Sequence, residues 1–153
     1  AKPRPAFISA KKRGVLFDIG HGMGGFDSTV AKVLIDHDFY PDTISTDVHT
    51  YSKEKVLGLP EVLSKFVALG MELSDVLVRA TSDPGQLGRF KGAGVGAIEV
   101  GAQADIAAFE YSEGEHQFSD CHGHSFQGDM RLIPVFTMIN GEVLYDRDGR
   151  AGR

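Results

Sequence analysis

Imidazole, carboxylate and thiol side chains gather at three places along the 153-residue sequence. His21 lies within the glycine-rich stretch Gly20–Gly25, Asp47 and His49 follow a β-branched run, and the segment Cys121–His124 holds one cysteine and two histidines. Such groups transfer protons and coordinate metal ions. The first two places suit hydrolysis at the rim of a sheet, and the third suits a zinc ion.

Two short strands are predicted to position the first two groups. Val15–Ile19 is an apolar run bounded by glycines, which is typical of a strand buried on both faces, and Thr43–Asp47 is rich in β-branched residues. A short helix that begins at Asp27 or Ser28 separates them, so the segment is a βαβ unit with parallel strands. Ligands of parallel sheets bind beyond the carboxyl ends of the strands, so His21 and the aspartate are expected at one rim.

The helical predictions depend on apolar spacing and on residues that begin or end helices. The helix between the strands is expected to place on one face Val30, Val33, Leu34 and His37. Pro60 suits the first turn of the next helix, which ends at Gly70, and Ser74 begins a third that stops before Pro84. The middle helix has an apolar face formed by Val62, Leu63, Phe66 and Val67. Residues 1–13 are expected to be a solvated lead-in.

The pattern changes near residue 92, after which no helical period is convincing. The later sequence contains β-like runs at residues 97–100, 105–111, 117–121, 131–137 and 138–145. Asn140-Gly141, between the last two, is a strong hairpin signal. The chain is therefore predicted to consist of an α/β part, residues 1–92, and a β part, residues 93–153.

Composition and charge limit the classes of function. The sequence is 42% hydrophobic and 24% charged, as in globular proteins, and its formal charge of −5 argues against a nucleic-acid partner. The single cysteine excludes an internal disulfide and a four-cysteine zinc site, and it fits a reducing cytoplasm. Apolar runs are far shorter than the roughly 18 residues of a membrane span, and no signal peptide is visible. No membrane partner is expected.

The glycines around His21 permit a second interpretation. Gly20-x-Gly22-x-x-Gly25 follows a strand and precedes a helix, and the next strand ends in Asp47, as in a dinucleotide-binding protein. The aspartate lies further along the chain than the usual spacing of about 20 residues, and the later chain is all-β. A third interpretation is that these glycines only allow a tight bend.

The Cys121–His124 segment also has two interpretations. Cysteine and histidine suit zinc. The surrounding polar residues, however, are typical of an exposed hairpin end, where His122 and His124 would lie opposite Cys121. Two histidines alone make a weak metal site, so a structural role is favoured.

Several ordered segments carry a family resemblance. They are Phe17–Gly22, Pro41–His49, Leu59–Phe66, Leu69–Met71, Thr81–Pro84 and Gly94–Ile106. Together they resemble the amidohydrolase superfamily, and most closely its dihydroorotase-like, amidohydrolase/deacetylase branch. The resemblance covers roughly residues 14–145.

The resemblance implies an α/β plus β fold: the last two βα units of a (β/α)₈ barrel, followed by strands of a small β-sandwich. Two strands cannot close such a barrel, so the chain is expected to be a C-terminal portion. An isolated portion would expose the apolar residues of Leu16–Ile19 and of the middle helix, which predicts association or poor solubility.

The resemblance also implies the chemistry. Asp47 matches the aspartate that binds zinc and transfers the proton while a metal-activated water attacks the carbonyl of a small amide or cyclic amide. His21, Gly22 and His49 would contact substrate. One or two zinc ions would take most ligands from outside this chain, from a missing N-terminal barrel half or a homo-oligomer. The chain alone is then expected to be inactive. The alternative, from a different class of function, is that the chain is a non-catalytic binding or assembly module.

Overall fold

Two parallel strands with surrounding helices precede a long antiparallel hairpin in the computed structural model, which describes residues 2–53, 57–92 and 94–150. The helices are α1 Pro5–Lys12, α2 Ser28–Ile35, α3 Leu59–Ala68, α4 Leu73–Ala80 and α5 Ser82–Gly85, followed by a 3₁₀ turn at Gly88–Phe90. The strands are β1 Asp18–Gly20, β2 Thr43–Ser45, β3 Ile106–Ser119, β4 Ser125–Ile139 and β5 Glu142–Asp146. Among these described helices, none has the length and apolar character needed to cross a membrane.

The βαβ unit forms as predicted, with β1 and β2 parallel and Asp18 paired with Thr43. The prediction that the first strand is buried on both faces is wrong. Asp18 is exposed and its carboxylate accepts hydrogen bonds from the hydroxyls of Thr43 (2.6 Å) and Ser45 (2.7 Å), whereas Ile44, on the other face, is 3% exposed. The sheet therefore has one polar side, with Asp18, Thr43 and Ser45, and one side where Ile44 joins the apolar core.

Helix α2 begins as predicted but buries a different face. Asp27 is its N-cap and accepts a hydrogen bond from the amide of Val30 at 3.0 Å. Val30 itself is 55% exposed, whereas Ala31 and Ile35 are buried. The helix has apolar residues on two sides, and the side with Ala31 and Ile35 is the one that joins the apolar core.

The N-terminal residues are solvated as expected, since no residue of helix α1 is buried, but they form a helix that contacts the rest of the chain. The Lys11 ammonium donates a hydrogen bond to the carbonyl of Tyr40, lies 3.2 Å from Asp42 Oδ1 and faces the Phe39 ring. Phe7 packs edge-on against Phe17 at 6.0 Å. These contacts hold α1 next to the residues that immediately precede β2.

Helix α3 joins the two predicted parts through one core. Its apolar face is not exposed as expected for a fragment: Val62 and Phe66 are both 0% exposed. Strand β4 covers that face, and the amide of Leu132 donates a hydrogen bond to Ser64 Oγ at 2.9 Å. The boundary at residue 92 stays a prediction, since residue 93 is outside the described residues and the core crosses from one part to the other.

Strands β3, β4 and β5 form one antiparallel sheet in that order. The predicted runs at 105–111 and 117–121 overlap the single strand β3, which spans Ile106–Ser119, and the predicted run at 97–100 forms no strand. Asn140 and Gly141 both have positive φ, 50° and 79°, as a two-residue hairpin turn requires, so that prediction is confirmed. The described residues of this part form one three-stranded sheet, and the β-sandwich stays a prediction.

Candidate functional site at the ends of the parallel strands

The glycine-rich stretch and Asp47 meet at the carboxyl ends of β1 and β2, as the βαβ reasoning predicts. The amide of Gly22 donates a hydrogen bond to the carbonyl of Thr46 at 3.0 Å. A Cβ atom on Gly22, where φ is 47°, would lie 2.3 Å from Asp47 Oδ2, and one on Gly20 would lie 2.6 Å from Asp47 Cβ. Glycine is therefore required here because the aspartate side chain lies directly against the loop.

Asp47 is exposed and has an unusual backbone conformation. Its φ is 46°, in the left-handed region that non-glycine residues rarely occupy. Aspartate tolerates this region better than most residues, and such conformations concentrate at functional sites. The conformation places the carboxylate over the Gly20–Gly22 segment, accessible to solvent.

His21 points away from the rim and into the core. It is 1% exposed and stacks on Phe26 with ring centroids 5.1 Å apart. Its Nε2 lies 2.9 Å from Lys65 Nζ, and its Nδ1 lies 3.1 Å from the carbonyl oxygen of Gly22. Because an ammonium only donates, Nε2 accepts, and the ring proton is on Nδ1, which donates to Gly22.

Burial, with a smaller effect of the Lys65 charge, lowers the pKa of His21. Both ring nitrogens are engaged in hydrogen bonds. Gly22 is also buried. Substrate contact by His21 and Gly22 stays a prediction, and the structure gives His21 contacts only within the protein interior.

Lys65 is the residue of this region that the sequence reasoning missed. It is 2% exposed, and burial lowers its pKa. Glu61 Oε1 lies 3.9 Å from the ammonium, and Glu61 Oε2 lies 3.4 Å from Arg131 Nε. A lysine in a helix is usually solvated, even next to a core residue such as Phe66. The only sequence signal for an ion pair here was the spacing of four residues between Glu61 and Lys65.

His49 lies in an exposed turn beyond Asp47. Its amide donates a hydrogen bond to Ser52 Oγ at 3.0 Å, and its Nδ1 accepts one from the amide of Tyr51 at 3.3 Å. The imidazole thus stabilises the turn and remains accessible from the rim. Its role in substrate contact stays a prediction.

The hairpin end that carries Cys121 is exposed at residues 122–125, as predicted, but Asp120 and Cys121 are buried where it docks on the start of α2. The Asp120 carboxylate accepts hydrogen bonds from the amide and hydroxyl of Ser28, at 3.1 and 2.9 Å, and from the amides of His122 and His124, both at 2.9 Å. The amide of Cys121 donates to the carbonyl of Phe26 at 3.1 Å. Burial alone raises the pKa of Asp120, but these hydrogen bonds outweigh it and hold that pKa well below its usual range.

The cysteine and histidines of this segment do not assemble a metal site. Cys121 is buried, whereas the side chains of His122 and His124 are 52% and 63% exposed and face Asp27 and Asp120. Within residues 2–53, 57–92 and 94–150, no three or more His, Cys, Asp or Glu side chains are grouped so that they could hold a metal ion. The same finding applies to the rim around Asp47.

The start of α2 argues against dinucleotide binding. A pyrophosphate at a helix N-terminus needs free amides and a positive local potential. Here the amide of Val30 is bound by the Asp27 carboxylate and the amide of Ser28 by the Asp120 carboxylate. Two negative groups already occupy the position that the phosphates would take.

Replacing Asp120 with asparagine is expected to lower the free energy of unfolding by about 2–3 kcal/mol at pH 7, because hydrogen bonds to a buried charge are lost. A carboxylate with a depressed folded-state pKa stabilises the protein above its unfolded pKa of about 4, and this contribution disappears as the pH falls. Urea unfolding at pH 7 and pH 3 measures both effects. The matched control is the exposed Asp129→Asn.

The difference between wild type and Asp120→Asn should therefore shrink at pH 3. An equal difference at both pH values would show that the charge of Asp120 is not what holds the hairpin end on α2.

Comparisons with known proteins agree on one group of enzymes. No protein-family model matches the chain. A deacetylase of Enterococcus faecalis is 28% identical over 139 residues, which are 90% of this chain and 37% of that protein. The structure of an adenine deaminase matches with a TM-score of 0.87 and 27% identity, and that of a dihydroorotase with 0.79 and 25%.

These matches cover nearly all of this chain but only part of each related protein. The two structural matches cover 95% and 94% of this chain but 39% of each solved chain. The chain thus spans little more than a third of the deacetylase and about two fifths of each solved protein. Together these three matches support the amidohydrolase superfamily as the group to which this chain is related.

Proposed function

We propose that this chain is the C-terminal portion of an amidohydrolase-type enzyme that hydrolyses the C–N bond of small amides or cyclic amides. The observation that carries the proposal is Asp47, a solvent-accessible carboxylate in a left-handed conformation at the end of β2. Relatives described as a deacetylase, an adenine deaminase and a dihydroorotase support the reaction class. In this proposal β1 and β2 are the seventh and eighth strands of a (β/α)₈ barrel.

Asp47 would transfer the proton of the reaction. A carboxylate at the rim can take a proton from the attacking water and pass it to the leaving nitrogen. A general acid–base group transfers protons efficiently when it is correctly placed. The close approach of Gly20 and Gly22 restricts where this carboxylate can lie. His49, exposed two residues further on, is the accessible candidate for substrate contact.

The described residues do not make a complete zinc site. Zinc in enzymes takes about three protein ligands, and the rim supplies the Asp47 carboxylate without the two or more further donors that such a site needs. We therefore propose that the zinc ligands other than Asp47 come from polypeptide outside these 153 residues. An N-terminal barrel half would also cover the polar sheet face at Asp18, Thr43 and Ser45.

The proposed function is tested by metal removal from the complete polypeptide, including any residues that adjoin Ala1. N-acetyl amino acids and cyclic amides such as dihydroorotate and hydantoin form the substrate panel. We expect hydrolysis of at least one class, loss of nearly all of it after chelation, and recovery when zinc is added. The 153-residue chain alone is the control and should show no turnover.

Two outcomes would contradict the proposal. Hydrolysis that survives complete removal of metal would exclude the metal-dependent reaction. A complete polypeptide that binds no transition metal and hydrolyses none of these amides would instead favour the non-catalytic binding module.

A further inference from the structure

Lys65 is a buried charged side chain, and it lines a cavity together with Glu61 and the hairpin-end residues Ser119–Gly123. It is 2% exposed on α3, next to Phe66 at 0% and two residues after Leu63 at 2%. Lysine is almost never buried to this degree unless it is paired, because the charged form is poorly solvated there.

The partner that explains Lys65 is His21. Glu61 is the only acidic group within ion-pair distance of Lys65 among the described residues, and it is 3.9 Å away and closer to Arg131. The contact with His21 Nε2 is 2.9 Å, a full hydrogen bond. The geometry thus directs the ammonium to the imidazole of the rim segment.

From His21 the contacts continue to Asp47. The Nδ1–H of His21 donates to the carbonyl of Gly22 at 3.1 Å, and the amide of Gly22 donates to Thr46 at 3.0 Å. The α-carbon of Gly22 faces the Asp47 carboxylate so closely that no Cβ fits between them. Each link is local and short, and together they connect a helix residue in the core to the exposed carboxylate.

We propose that Lys65 is a positioning residue, which acts through His21 to hold the Gly20–Gly22 segment and thereby sets the location of Asp47. The inference rests on the proposed function of Asp47 as the proton-transfer group. Lys65 does not touch the rim opening itself. Its contribution is to keep His21 oriented and bound at both ring nitrogens, so that the loop has one conformation.

The structural part of the proposal is tested on the 153-residue chain by nuclear magnetic resonance. Lys65→Met keeps the length and apolar character of the side chain but removes the donor. We expect the Nε2 resonance of His21 to shift toward that of an unbonded nitrogen and amide exchange at Gly22 to accelerate about tenfold or more. The control is Lys12→Met at an exposed position of α1, which should change neither signal.

The functional part is tested on the complete polypeptide by separating kcat from KM. We expect Lys65→Met to lower kcat by about 10- to 100-fold with little change in KM, because a displacement of about 1 Å in a reacting group has effects of this size. Lys65→Arg, which keeps a donor for His21, should restore part of the loss. A purely structural role of Lys65 would not produce this split or this rescue.

The outcomes separate this inference from the proposed function. Unchanged His21 and Gly22 signals in a folded Lys65→Met protein would overturn the inference, whatever the activity. Absence of hydrolysis in the wild type would count against the proposed function and leave the resonance test standing. If Lys65→Met does not fold, His21→Gln breaks the bond to Gly22, and unchanged exchange at Gly22 in that variant would overturn the inference.

Discussion

Replacing Phe66 with alanine is expected to lower the free energy of unfolding by about 3–5 kcal/mol, the range for removing a fully buried phenylalanine. Phe66 is 0% exposed and packs edge-on against Phe26 at 5.5 Å. It also lies on the helix that β4 covers. The cavity would therefore lie between the parallel strands and the antiparallel hairpin. A rearrangement of only one of these two parts would not fill it.

Urea unfolding followed by circular dichroism measures this change, with Phe7→Ala as the matched control. Phe7 is 43% exposed, so its replacement should cost much less. We expect one cooperative transition in both variants, since the two parts share a core. Separate transitions for the helical and β parts, or a cost below about 1 kcal/mol for Phe66→Ala, would contradict a shared core.

The features that could be predicted from the sequence are local ones. Helix α3 begins near Pro60 and ends before Gly70, where φ is 105°, because the restrictions on proline and the freedom of glycine act within one turn. The parallel pairing of β1 and β2 follows from a short helical crossover, which permits little else.

The features that the sequence reasoning missed depend on distant contacts. Asp120 binds Ser28 across 92 positions, and no local signal indicates that a polar hairpin turn will cap a helix so far away. Lys65 was missed because a lysine in a helix is normally solvated, and only the position of His21 shows where it points.

The direction of His21 could have been deduced. Side chains alternate at the end of a strand, so glycines that face the rim at positions 20 and 22 place the residue between them on the opposite side. The prediction that His21 lies at the rim with Asp47 does not take this alternation into account. The structure puts the imidazole in the core and leaves the carboxylate of Asp47 outside.

Replacing Asp47 with asparagine is expected to reduce amide hydrolysis by the complete polypeptide by about 10²–10⁴-fold, the contribution of a general acid–base group. Asparagine keeps the size of the side chain and tolerates the left-handed conformation at φ 46°, so the fold should not change. It cannot take up the proton of the attacking water. The loss should appear in kcat, with equal stability in urea.

Measuring kcat for wild type, Asp47→Asn and the exposed control Asp129→Asn decides whether the rim carboxylate carries the reaction. We expect Asp129→Asn to retain wild-type turnover and Asp47→Asn to lose nearly all of it while remaining folded. A folded Asp47→Asn enzyme with wild-type kcat on the same amide would contradict the role proposed for Asp47.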